Sequence, residues 1–469
     1  MTTTEFRALE YCLDQTFAEA VYRFEGSTEQ GYRVVRNGSV QLELGQGYRL
    51  LRSVACGVCS TDLDRHFLPF PLPQITGHEL VASDESGVLC VVEINASHYA
   101  RAIETSCPYC TAGLERHCPE RLVLGINDLP GGFGPWVLAP VRAAIPIPAA
   151  IPASTAVLVE PFAAALHAVT TLDPKPGERV AVLGPRRLGL LVVAALSGLR
   201  KRTSAGFRIL AVSRHRDLLD LASLFGADEG LLVEGSGGSL PPCSVDRVID
   251  TTGSPEGLAL AIHLASREVH LKSTHGRPAA GMHHLTELVV DELGLAKFAP
   301  EAVPDGALVA WLVETPPPPE LEGRVRLLRD AGSSGARHLH ERRERKCREG
   351  ELAPFDVAVV GSSVQADLAI LPSEAHQRSL VRPGGSILVH GVAPGEIPPL
   401  VRAVVDRGLR LSSSRCGDFR PALALLANDP ELCRQIERLI THRFSARELG
   451  RAFEVARSRE CIKAVIEHG

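Results

Sequence analysis

Nowhere in this chain of 469 residues does an apolar run stay unbroken for long enough to cross a bilayer as one helix. The most apolar stretch, Ala143 to Val169, is interrupted by Pro146, Pro148, Pro152 and Pro161, each of which stops or kinks a helix. The segment Met1 to Ala20 carries Glu5, Arg7, Glu10 and Asp14 where a secretory leader needs an apolar run. An excess of positive charge is also lacking. Lys and Arg total 50 against 55 Asp and Glu, a net charge of −5, which argues against nucleic acid or an anionic membrane as partner. Low-complexity composition is absent too: with 45% hydrophobic and 22% charged residues the chain is of ordinary globular type. A cytoplasmic protein of two or three domains is expected.

A disulfide framework is missing despite 12 cysteines. Five of them fall in two tight groups, Cys56/Cys59 and Cys107/Cys110/Cys118, and the others are scattered singly. Clustered cysteines in a long, intracellular-looking chain point to metal, and the scattered ones read as small buried hydrophobes.

Up to about residue 165 the chain is a series of short β-type runs, such as Val88 to Val92, divided by Gly and Pro. From Gly177 strands and helices alternate. Arg179–Leu183, Arg208–Val212 and Val245–Asp250 read as buried strands, with helical runs at Leu188–Leu199, Asp217–Phe225 and Ser254–Leu264. That alternation predicts a parallel, doubly wound sheet. Residues 297–398 differ in texture, with the proline run Pro316–Pro319 and a mixed-charge run Arg337–Glu351 that reads as a solvated helix face. Within them, Phe355–Val360 through Ser386–His390 loosely echoes Val245 to His275: a degenerate internal repeat or an elaboration of the sheet edge.

The strongest chemical signal is Cys56-Gly-Val-Cys59-Ser-Thr61-Asp62 followed by Gly77-His78-Glu79. Thiolate and imidazole are zinc donors, and a hydroxyl beside them can pass a proton. With Val157-Leu-Val-Glu160-Pro161 downstream, these motifs resemble the zinc-dependent medium-chain alcohol dehydrogenases, most of all their threonine, sorbitol and glucose dehydrogenase branch. The resemblance covers about residues 40–295 and 400–469. It implies a catalytic zinc on Cys59, His78 and Glu160, with Glu79 as an exchangeable or outer carboxylate, Asp62 as orienting group and Thr61 as proton relay. Cys56 becomes a packed neighbour. The family's structural-zinc lobe has four cysteines, C-x2-C-x2-C-x7-C. Here Cys107, Cys110 and Cys118 are present and Glu104 stands at the first position, so the lobe holds zinc through Glu104 or has lost its metal. The spacer Ala96 to Arg101 upstream is longer than the family's.

The same resemblance implies a GroES-like catalytic domain at 1–165, completed by 432–469, and a Rossmann domain at 166–431 with an insertion at 297–398. The active site then lies in the cleft between the two domains. Gly184-Pro-Arg186-Arg-Leu188-Gly189 stands where the family carries G-x-G-x-x-G, with Arg186 in place of the middle glycine. Thr252 and Gly253 resemble the loop against the nicotinamide ribose. Leu271–His275 resembles the end of the next strand. The second strand ends in Ser213-Arg214-His215-Arg216 without a carboxylate, which favours NADP over NAD. The expected chemistry is reversible hydride transfer between a small polar alcohol and NAD(P), with a homodimer possible. A non-catalytic or zinc-free dinucleotide-binding relative is the alternative.

Overall fold

The computed structural model describes residues 2–233, 240–273, 277–321, 323–327, 355–370, 379–391 and 397–469. The charged run Arg337–Glu351 lies outside them. Two compact units emerge, 1–163 with 416–469, and 164–415. The return comes at Cys416 rather than 432, because helices Phe419–Asn428 and Pro430–Glu437 belong to the first unit. The second of these buries Leu432, Cys433 and Ile436, and Ser154 Oγ donates to Glu437 Oε1 at 2.6 Å. Among the described residues, no helix is long and apolar enough to cross a membrane.

The first unit is β-rich, as its short runs between Gly and Pro predict. An antiparallel meander of four strands covers Thr2–Tyr11, Phe17–Ser27, Gly31–Arg36 and Ser39–Leu44. A seven-stranded sheet is built around Tyr48–Gly57, which pairs with Glu79–Ser83, Trp136–Pro140 and the C-terminal strand Lys463–Glu467. The C-terminal segment thus completes the unit by lying directly on the strand that leads into Cys59.

The second unit holds one sheet of eleven strands. Its first part runs Glu229–Leu232, Arg208–Ser213, Arg179–Leu183, Val245–Asp250, Ala265–Leu271, Arg410–Ser413, all parallel, in the order 3-2-1-4-5-6. This is the doubly wound arrangement that the alternation predicts. The strands between 294 and 389 continue the sheet beyond Arg410–Ser413, so the expected insertion is a sheet extension.

Candidate functional site

In the first unit, Cys59 is the N-cap of the short helix Ser60–Leu63. Asp62, buried in that helix, uses both carboxylate oxygens on the backbone. Oδ2 accepts from Cys59 N at 2.8 Å and Oδ1 from Gly77 N at 3.0 Å. One side chain therefore ties the Cys59 motif to the His78 motif. Gly77 has φ +96°, and a Cβ there would stand 2.9 Å from both Cys56 Sγ and a Phe133 ring carbon, so only glycine fits. His78 is buried, with Nδ1 3.4 Å from Asp62 Oδ1 and no hydrogen bond of good geometry, which leaves Nε2 for a metal. Burial disfavours its charged form, but Asp62 and then Cys59 outweigh burial and raise its pKa well above the usual range. Thr61 Oγ1 lies 3.6 Å from Cys59 Sγ. Cys56 is fully buried, and burial pushes its thiol up, as befits a packed neighbour.

Two expected ligands are placed differently. Both oxygens of Glu79, expected as an outer or exchangeable carboxylate, accept from Lys463 Nζ, at 2.6 and 2.7 Å, which makes this carboxylate one half of a buried ion pair. Glu160 sits in the first turn of helix Val159–Leu172, and among the described residues it does not close into a tight group with Cys59 and His78.

The cysteine lobe brings a different side chain to the cysteines from the Glu104 that the sequence reading expects. Asn95–Ala96 pairs with Leu122–Val123, and this two-stranded ribbon brings the spacer against the cysteines. His98, not Glu104, joins Cys107, Cys110 and Cys118, with all four ligand atoms within 4.8 Å of one another. His98 Nδ1 lies 3.4 Å from Cys118 Sγ and 3.7 Å from Cys110 Sγ, and Cys107 and Cys118 sulfurs are 4.0 Å apart. Tetrahedral zinc with Zn–S of about 2.3 Å separates its thiolates by about 3.8 Å, so the donor set fits. Glu104 is exposed. The far nitrogen, His98 Nε2, faces Glu120 Oε2 at 3.2 Å, the carboxylate–histidine pairing that orients metal ligands. The signal was the long spacer itself, since it contains a histidine. His98→Ala is expected to lose one equivalent of zinc and the charge-transfer bands of a cobalt-substituted Cys3His site, whereas Glu104→Ala leaves both unchanged. Loss of metal from Glu104→Ala instead would reverse the assignment.

In the second unit, strand Arg179–Leu183 turns at Gly184 (φ +76°) into helix Arg187–Thr203, with Arg186 as N-cap. A Cβ at Gly189 would stand 2.4 Å from Gly184 O and 2.8 Å from Thr251 Oγ1, so helix and strand pack through these glycines. Thr251 Oγ1 donates to Leu183 O at 2.8 Å and Gly184 O at 3.0 Å. The N-terminal turn of a long helix, with its dipole, suits a pyrophosphate. Leu188 lies in the first turn of that helix, half-buried. Ser213 ends the neighbouring strand and its Oγ accepts from His215 N at 3.1 Å, while Arg214 is exposed. Thr252 N and Oγ1 both bond Asp250 Oδ1, at 2.9 and 2.7 Å, ahead of Gly253 with φ +60°.

A buried polar chain crosses the same sheet. Ser412 Oγ donates to Glu268 Oε1 at 2.6 Å; His270 Nδ1 and Nε2 lie 2.8 Å from Ser412 Oγ and Ser414 Oγ; Lys272 Nζ donates to Ser414 Oγ at 3.1 Å. Lysine only donates and an ionised glutamate only accepts, so every hydrogen bond between them points one way and His270 is the neutral Nδ1–H tautomer. Burial, then Lys272, then His167 push its pKa down to about 3. Unfolded, it titrates near 6.5. Between these values the unfolded chain binds the extra proton, so stability is lost as pH falls below about 6.5, at roughly 1.4 kcal/mol per unit from this group. His270→Asn is expected to flatten the dependence of urea-unfolding free energy on pH between neutral and acid conditions. An unchanged slope would remove His270 from the account.

Comparison with known proteins places these motifs. The alcohol dehydrogenase GroES-like domain model matches residues 45–149. L-threonine 3-dehydrogenase of Rhizobium etli (strain CIAT 652) is 30% identical over 237 residues, 48% of this chain and 64% of the relative. L-galactonate-5-dehydrogenase of Escherichia coli (strain K12) is 28% identical over 235 residues, 47% of this chain and 66% of the relative. The chain thus spans just under two thirds of the length of these curated relatives. A protein of Sinorhizobium meliloti 1021, described as a zinc-binding dehydrogenase and solved bound to NADP, shares the fold at a TM-score of 0.55 and 19% identity, covering 99% of both chains.

Proposed function

We propose that this chain, whose residues 45–149 match the alcohol dehydrogenase GroES-like domain, is a zinc-dependent oxidoreductase of the medium-chain alcohol dehydrogenase type. It transfers hydride between a polar alcohol or its carbonyl and NADP(H). The observation that carries this reading is Asp62, whose carboxylate holds the Cys59 and Gly77 backbones, and with them Thr61 and His78, in one place. A mere turn has no need of that arrangement.

When bound, zinc supplies Lewis acidity to the substrate oxygen, and the nicotinamide carries the hydride. Cys59 Sγ and His78 Nε2 would hold the metal, with Glu160 proposed as the third donor. Asp62 holds the backbone on either side of the pair and sets its charge 3.4 Å from His78 Nδ1. Thr61 Oγ1 accepts the alcohol proton and hands it outward. The turn Gly184–Gly189 and the helix behind it receive the pyrophosphate, with Arg186 at its mouth, and Thr252 and Gly253 border the nicotinamide ribose. A carboxylate in place of a third thiolate makes the zinc site harder and favours hydroxylated substrates. The curated relatives named for L-threonine and L-galactonate agree with that preference.

The test is nicotinamide absorbance on a panel of polyols, hydroxy acids and aliphatic alcohols, alongside metal content. No turnover on any alcohol by zinc-loaded protein would sink the proposal. The cofactor choice has its own check. Arg214→Ala is expected to cut kcat/KM with NADPH about tenfold to a hundredfold, the loss of one charge-assisted hydrogen bond, and to spare NADH. Equal losses with both cofactors would show that Arg214 does not read the 2′-phosphate.

A further inference from the structure

The part of the sheet beyond Arg410–Ser413 repeats the winding of the part before it. In sheet order it runs Val325–Leu327, Val309–Trp311, Phe355–Val360, Val381–Val389, all parallel. By chain order that is 2-1-3-4. The corresponding strands of the first part, Arg208–Ser213, Arg179–Leu183, Val245–Asp250 and Ala265–Leu271, follow the same 2-1-3-4. Helix Ser363–Ile370 stands where helix Pro255–Leu264 does, between the third and fourth strands.

The likeness extends to single hydrogen bonds. Asp246 and Asp356 are each the second residue of the third strand. Asp246 Oδ2 accepts from Arg179 N, at the start of the first strand, at 2.8 Å. Asp356 Oδ2 accepts from Leu308 N, just before its own first strand, also at 2.8 Å. The other oxygen pairs in both cases with the Nε of an arginine at the start of the fourth strand, Arg267 for Asp246 and Arg382 for Asp356. Both third strands also shift register against the fourth at this point, between 245 and 247 and between 355 and 357. Sheet formation alone requires none of these coincidences.

Among its described residues, the second copy shows no turn that would take a dinucleotide. Its first strand runs on into Leu312, Val313 and the prolines, with no glycine turn and no helix before Pro319. Across the switch point lies a side chain of its own: Gln365 Oε1 accepts from Gly361 N at 2.6 Å and Nε2 donates to Leu312 O at 2.9 Å. That crevice is filled.

The two copies meet at Gly294–Lys297, which is parallel to Val381–Val389 but antiparallel to Arg410–Ser413, through Leu295 and Leu411. Two parallel half-sheets opposed across one antiparallel seam is the arrangement that two-fold symmetry gives to paired subunits. We infer that the described strands between Gly294 and Val389 are a degenerate second copy of the nucleotide-type half-sheet, which covers the Arg410–Ser413 edge as a second subunit would. An open edge of this kind otherwise recruits another chain. The protein then works as a monomer with one dinucleotide per chain, where the count of dinucleotides rests on the dehydrogenase reading above.

Light scattering of the full-length protein should return the single-chain mass of 50.3 kDa over a wide concentration range, and a dimer at any of those concentrations overturns the inference. Amide exchange at Arg410–Ser413 should be slow and independent of concentration; protection that grows with concentration would show that this edge pairs between chains. NADPH titrated against the zinc-loaded protein should saturate at one equivalent, and two equivalents would contradict the filled crevice. Absence of binding would defeat the dehydrogenase reading, while mass and exchange still decide the duplication.

Discussion

Cys59→Ala is expected to lose turnover by about a thousandfold or more and one of two zinc equivalents, while the protein stays folded. Metal activation is worth several kcal/mol of barrier, and each 1.4 kcal/mol is about tenfold in rate. The fold survives because Cys59 is only half-buried and its anchoring bond, from its own N–H to Asp62 Oδ2, belongs to the backbone. The remaining zinc is that of His98, Cys107, Cys110 and Cys118. Cys56→Ala is the control. Its thiol is fully buried and lies outside the cluster of metal donors, so its loss should lower stability and spare zinc. Full activity in Cys59→Ala, or loss of the same zinc from Cys56→Ala, would exchange the two roles.

How much of this was legible in the sequence depended on whether a function is written contiguously. Cys59, Thr61, Asp62 and the Gly77–His78 pair lie within one short window, and the structure joins them through a single carboxylate. The glycines of the Gly184–Gly189 turn were legible for the same reason: strand before, helix after. His98 was not, because a motif written in cysteines hides a ligand of another type placed earlier in the chain, and Glu104 occupied the expected position while pointing to solvent. Lys463 was invisible because its partner Glu79 is separated from it by nearly the whole chain. The duplicated half-sheet left only a loose echo, since what repeats is one aspartate, one arginine and a winding order. Hydrophobic strands supply the rest and look alike in any parallel sheet.

Lys463→Met is expected to cost about 3–5 kcal/mol of unfolding free energy, the usual consequence of leaving one member of a buried pair behind. Glu79 is fully buried, and both its oxygens are spent on Lys463 Nζ. Glu79 packs where Gly57 has no Cβ: one built there would stand 2.0 Å from Glu79 Oε2. Lys463 Nζ also donates to Val58 O at 3.2 Å, one residue before Cys59. The substitution therefore strikes the C-terminal strand and the metal motif together, and zinc affinity should fall with stability. A second change separates charge from shape. Glu79→Gln combined with Lys463→Met removes both charges at similar volume, and a neutral pair of that kind often recovers much of the loss. Urea unfolding of the two variants and the parent decides it. Less than about 1 kcal/mol lost by Lys463→Met would mean that water or a shifted side chain already compensates Glu79, contrary to its burial.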